Sequence, residues 1–169
     1  AARNFLIRGT ANNQGTILKM LLDSGVQEIG DPTQCHAVAI DARAPQYDGG
    51  IITRLDCVVF GIVVNKHSER FYDEGEDIWP KRYAIWGRLI AAQPDQIAYS
   101  IIDAKAVPLF MPSVYAPLQA VTLAGLANEI GVDGATFEAT LGAYNAAVQP
   151  GQLDSAVLDG CRTQGLGIE

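Results

Sequence analysis

The chain has 169 residues, 49% of them hydrophobic, with a formal net charge of −7 and a pI near 4.7. That length makes one domain with a real core, and the acidic balance argues against general nucleic-acid binding. No apolar run reaches the ~18 residues of a membrane span, no basic-then-apolar start marks a signal peptide, and three scattered cysteines without metal-type spacing fit reduced thiols in the cytoplasm.

In chain order, the spacing of Ile17, Leu18, Met20, Leu21 and Leu22 predicts a helix over 14–24, stopped by Gly25. "HAVAID" (36–41) alternates like a strand, and "RAPQYDGG" (43–50) is a turn-forming loop. The β-branched run "CVVFGIVVN" (57–65) predicts a buried strand. "KHSE" then turns the chain, exposing His67, and "RFYDE" pairs back as the second strand of a hairpin. After Pro80, Ile85, Leu89 and Ile90 have helical spacing, which predicts a helix over 81–93. The segment 96–106 starts as a strand, and 107–117, with three prolines, is irregular. A helix over 122–131 has a Thr cap and a Gly stop. Another over 133–148 is capped by Asp133 and ended by "QPG". Helices and strands do not alternate regularly, so the expected class is α+β, with a small antiparallel hairpin sheet and packed helices. Mean hydropathy is +0.11, apolar for a soluble chain, so part of the surface is expected to meet a partner or a further domain.

Chemistry concentrates just after the buried run. Arg70, Asp73, Glu74, Glu76, Asp77, Lys81 and Arg82 follow Asn65 within one loop and one helical turn. Such a mix suits a solvated loop, or a site that holds an anion and moves a proton. The chain shows no dinucleotide fingerprint after a strand, no P-loop, no zinc-protease motif and no nucleophile elbow.

"CHAVAID" followed by "AP", then "GIVVNKHSERFYDEGED", then "YAIWGRLIAAQPDQIAYSIIDAKA", resembles the capping domain of the fumarate reductase/succinate dehydrogenase flavoprotein family. "CHAV", "RF-DEG-D" and the tail "YNAAV" and "DGCRTQGLG" are most similar to the FAD-dependent tricarballylate dehydrogenases. The resemblance implies a substrate cap over 1–169, with 1–30 and 150–169 as junctions toward a separate Rossmann-type domain that holds the FAD. It implies a small carboxylate substrate and an unspecified electron-transfer partner. The chain by itself is expected to fold, to bind no FAD and to be inactive.

The resemblance also assigns roles. His36 stands where the family places a histidine on a substrate carboxylate; otherwise it is a solvated or core histidine. Thr53 matches a threonine that hydrogen-bonds a carboxylate, against an ordinary strand threonine. Fumarate reductases follow that threonine with a glutamate and, three residues later, an arginine, as a proton relay. Here those positions hold Arg54 and Cys57, so the relay is not preserved in that form. Arg54 is instead a carboxylate clamp, its guanidinium suited to bidentate pairing, or a surface arginine. Arg70 and Glu74 brace the loop. Arg82 is the expected acid/base, with Lys81 its rival, and Glu74, Glu76 or Asp77 would pass the proton on. Tyr83 and Trp86 are expected to pack against neighbours, and Cys35 and Cys57 to be small buried residues. Two alternatives stand beside this reading: a non-catalytic module binding a small acid or a partner, and a flavin-dependent ketosteroid-type dehydrogenase domain. The clustered arginines and His36 speak against the second.

Overall fold

The computed structural model describes residues 10–45, 51–152, 154, 156–158 and 162–168. Its centre is a two-stranded antiparallel sheet, β1 (Ile62–Val64) against β2 (Tyr99–Ile101), with Val63 opposite Ser100. Side chains alternate across a strand, and β1 is buried on both faces. Ile62 and Val64 point into one cluster with Ala127, Phe137 and Leu141. Val63 points the other way, into a second cluster with Ala39, Val58 and Trp86. A strand covered on both sides reads as an unbroken apolar run, which is why the run was conspicuous in the sequence.

The first cluster is closed by a helical hairpin. α4 (Leu123–Ile130) starts at Thr122, whose side chain accepts from Gly125 N–H, and ends at Gly131. α5 (Gly134–Ala147) starts at Asp133, whose carboxylate accepts from Thr136 N–H. Both caps answer orphan donors of a first turn, as the sequence predicts. A broken helix follows the loop, α2 (Trp79–Arg82), a 3-10 turn over Tyr83–Ile85, and α3 (Trp86–Ala91), and its later part closes the second cluster through Ile85, Trp86, Leu89 and Ile90. α1 (Thr16–Asp23) forms where expected but buries none of its residues. The irregular course of 107–117 holds apart from a 3-10 turn over Val107–Leu109. No helix among the described residues is long and apolar enough to cross a membrane.

The coarse class, a small α+β domain, is thus observed. Five local expectations are corrected. The strand over 36–41 reduces to one bridge, Ile40 with Arg54. Its ladder stops because Ala37 exchanges its hydrogen bonds with Ala84 and Gly87, while Asp41 turns the chain by accepting from Ala44 N–H. The strand over 57–65 is shortened by a 3-10 turn at Val58–Phe60. The hairpin partner at 70–74 is not a strand: only Val64 bridges Arg70. Beyond that bridge the Glu74 carboxylate accepts from Val63 N–H at 2.7 Å, taking the bond a neighbouring strand would have supplied. The helix over 81–93 breaks where residue 37 plugs into it, since Ala84 C=O accepts from Ala37 N–H and Gly87 N–H donates to Ala37 C=O. A Cβ on Gly87 would stand 2.6 Å from Val38 O, so this approach requires glycine. Cys57 is buried as expected, whereas Cys35 is exposed, in a described stretch, 16–36, that is exposed throughout.

Candidate functional site

Two segments distant in sequence carry the first group of site residues. The bridge between Ile40 and Arg54 brings 36–41 beside 53–56, with Asp41 N–H donating to Thr53 C=O and Leu55 N–H to Ala39 C=O. The contacts of Ala37 with Ala84 and Gly87 then set His36 against the 3-10 turn. The result centres on the phenol ring of Tyr83. His36 meets it edge-on at 5.1 Å between ring centroids, with an interplanar angle of 79°. The Arg54 guanidinium lies over the same ring at 5.0 Å, in cation–π range. His36 is exposed and Arg54 is partly so, whereas Thr53 is 5% exposed.

Arg54 is held by Asp56. Its Nε donates to Oδ1 at 2.6 Å and its Nη2 to Oδ2 at 2.8 Å. This hydrogen bonding pushes the Arg54 pKa above its ordinary value, against the pull of partial burial. Arg54 is therefore a fixed cation at every physiological pH.

The second group follows Tyr83 back along the chain. Arg82 Nη2 donates to Tyr72 Oη at 2.6 Å and to Glu76 Oε2, and Tyr72 Oη donates to the same carboxylate. The Tyr72 ring is braced edge-on by Trp86, 5.9 Å away. Burial pulls the Glu76 pKa up, but bonds from Tyr72 and Arg82 outweigh it and leave Glu76 below the usual range. Burial and the bond to Glu76 raise Tyr72. The bond to Glu76 raises Arg82. In this arrangement Arg82 keeps its proton and acts as a cation clasped by its own partners. Lys81, the rival, is exposed and pairs with Asp77 at 3.2 Å.

Arg70 and Glu74 form a third, separate group, and they are not surface charges. Their side chains are 8% and 3% exposed. Arg70 donates to Glu74 through Nε at 3.1 Å and Nη2 at 2.5 Å, and through Nη1 to Ile168 C=O at 2.9 Å, and its guanidinium lies 4.8 Å from the centre of the Tyr144 ring. With Glu74 on Val63, the pair ties the loop, β1, α5 and the C-terminal segment together. A cavity of about 390 Å³ opens beside it, lined by Thr140, Tyr144, Leu166 and Ile168 among others. This cavity belongs to the brace, and its guanidinium is already matched by Glu74.

The structure thus brings His36 and Arg54 together on Tyr83, leaves Thr53 buried next to Arg54 in the chain, turns the Arg82 guanidinium onto Tyr72 and Glu76, and sets Arg70 and Glu74 apart as the brace. Three contributors escaped the sequence: Asp56 as the partner of Arg54, Tyr83 as the platform, and Tyr72 as the hydroxyl on Arg82. The spacings Arg54/Asp56 and Tyr72/Glu76 were visible, but only the tertiary pairing turns them into a site. Among the described residues no group of three or more His, Cys, Asp or Glu could hold a metal ion. A Rossmann-type dinucleotide site is built on a parallel βαβ unit whose glycine-rich turn meets the pyrophosphate, whereas the sheet among the described residues is two-stranded and antiparallel. Comparison with protein-family models, with curated proteins and with solved structures finds no match to this chain.

Proposed function

We propose that this chain is the substrate-capping part of an FAD-dependent oxidoreductase acting on a di- or tricarboxylate such as tricarballylate. The observation that carries the reading is the cluster on Tyr83: an exposed imidazole and a permanently charged guanidinium, at positions the family resemblance assigns to substrate carboxylates. Guanidinium and imidazole N–H groups are suited to carboxylate oxygens, and two anchors on one ring suit a ligand with more than one carboxylate. The flavin and the redox chemistry would lie outside these residues, and this chain's part is to bind and orient the acid.

A second reading, a small-acid binding module without chemistry, draws on one feature. Arg82, the expected acid/base, is closed onto Glu76 and Tyr72, with its pKa raised. The two are separated by anaerobic mixing of the flavin-loaded protein that contains this chain with tricarballylate, citrate, succinate and a 3-ketosteroid. The enzyme reading expects rapid flavin bleaching by tricarballylate, lost in Arg82→Ala with flavin content unchanged. Bleaching that survives Arg82→Ala removes Arg82 from the chemistry. Bleaching by none of the acids overturns the oxidoreductase reading.

A further inference from the structure

We propose that Asp56 sets the selectivity of the His36–Arg54 site: it is a built-in carboxylate that holds Arg54 against monocarboxylates and yields it to ligands carrying two or more. The inference rests on the carboxylate-binding reading of that cluster.

Asp56 occupies Nε and Nη2 of Arg54 in the paired geometry that an incoming carboxylate would itself adopt. It sits two residues away on the same chain, so its effective concentration at the guanidinium is high, on the order of millimolar or above. A monocarboxylate offers the same bonds without the tether and loses the competition. A polycarboxylate has a second anchor, His36, on the same Tyr83 ring. Once one end is held, capture of Arg54 by the other end is also intramolecular, and the ligand competes with Asp56 on equal terms. The side chains of Arg54 and Asp56 are 32% and 29% exposed, so the pair is reachable and not fixed in the core. The net charge of the pair is zero, so a single carboxylate gains no net attraction at Arg54 until Asp56 turns away. A competing group inside the site is a way to reject the wrong ligand as well as to bind the right one.

The test is calorimetric titration of the full chain, as wild type and as Asp56→Asn, with tricarballylate and with propionate. Circular dichroism confirms the fold of the variant, and Arg54→Ala serves as the control that abolishes binding. Wild type is expected to bind tricarballylate and not propionate. Asp56→Asn is expected to bind tricarballylate about tenfold tighter and to make propionate binding measurable, so that the preference between them shrinks. An Asp56→Asn variant that binds tricarballylate more weakly, or keeps the wild-type preference, overturns the inference and makes Asp56 a positioning residue. Failure of the wild type to bind tricarballylate would sink the carboxylate reading, and Asp56 is then judged separately by the Arg54 Nε–H resonance. Propionate that shifts this resonance in Asp56→Asn and not in wild type supports the competing role; no shift in either removes it.

Discussion

At Arg70 a guanidinium and a carboxylate share a site almost closed to water. Burying such a pair brings little net stability, but removing one partner strands the other charge and costs about 3–5 kcal/mol. Arg70→Ala is therefore expected to lower unfolding stability by about 3 kcal/mol in urea, whereas Arg70→Met with Glu74→Gln recovers most of that loss. Asp31 shows the opposite extreme, an exposed carboxylate set by local bonds. It accepts from Thr33 Oγ1 at 2.6 Å, from Gln34 Nε2 at 2.9 Å and from Thr33 N–H at 2.8 Å, and its pKa falls to about 2. A carboxylate with a depressed folded pKa stabilises fully above its unfolded value, about 3.9, and loses that contribution as pH falls through the folded value. Asp41, depressed by its bonds from Arg43, and Glu76, depressed by Tyr72 and Arg82 against burial, act in the same direction. Stability should thus decline as pH drops from about 4 toward 2, with a shallower decline in Asp31→Asn, read from unfolding at fixed pH values. A rise in stability over that window would contradict these assignments.

At the scale of elements, close approach of backbone decides more than propensity. A Cβ on Gly61 would stand 2.0 Å from Ile101 O, so it cannot fit while β1 pairs with β2. Gly142, inside α5, has nothing within 4 Å of the same position. Gly61→Ala is expected to destabilise by about 3 kcal/mol through overpacking, and Gly142→Ala to stabilise by up to about 1 kcal/mol through helix propensity; thermal unfolding of the two variants checks both signs. The elements that could be read from the sequence are those whose ends are set locally. Thr122 and Asp133 cap α4 and α5 through contacts three residues away, and Gly131 and Gly25 end helices by their own backbone freedom. What could not be read is the identity of the partner of β1. The turn after Asn65 invites a hairpin, with Asn65 N–H donating to Glu69 C=O. The Glu74 carboxylate then takes the next bond, and the strand found at 99–101 comes from across the chain. A side chain replacing a backbone carbonyl leaves no periodic trace.

At the scale of the molecule, many large apolar side chains of the described residues stand exposed. The accessible area is 11671 Å², against roughly 8,000 Å² for a compact monomer of this mass. Ile17, Leu18 and Met20 of α1 are 69%, 63% and 59% exposed, so α1 has no core to dock on within the described chain. An isolated helix of eight residues is below the ~12–15 needed for marginal stability in water. Hydrogen exchange should therefore find the amides of 16–23 nearly unprotected while those of Val63 and Val64 exchange only with global opening; protection of α1 in the isolated chain would show that it packs. The site follows the same division as the fold. His36, Arg54 and Arg82 were visible as residue types and as a resemblance. Their grouping was not, because it depends on 40 meeting 54 and on 37 breaking the helix at 84, both long-range events. The most direct check on the account is a side-chain NMR titration of this chain with tricarballylate. Saturable shifts at the His36 ring and at Arg54 Nε–H, with Tyr144 beside the Arg70 cavity unmoved, are the predicted result. Shifts confined to Arg70 and Tyr144, or no shift at millimolar acid, would contradict it.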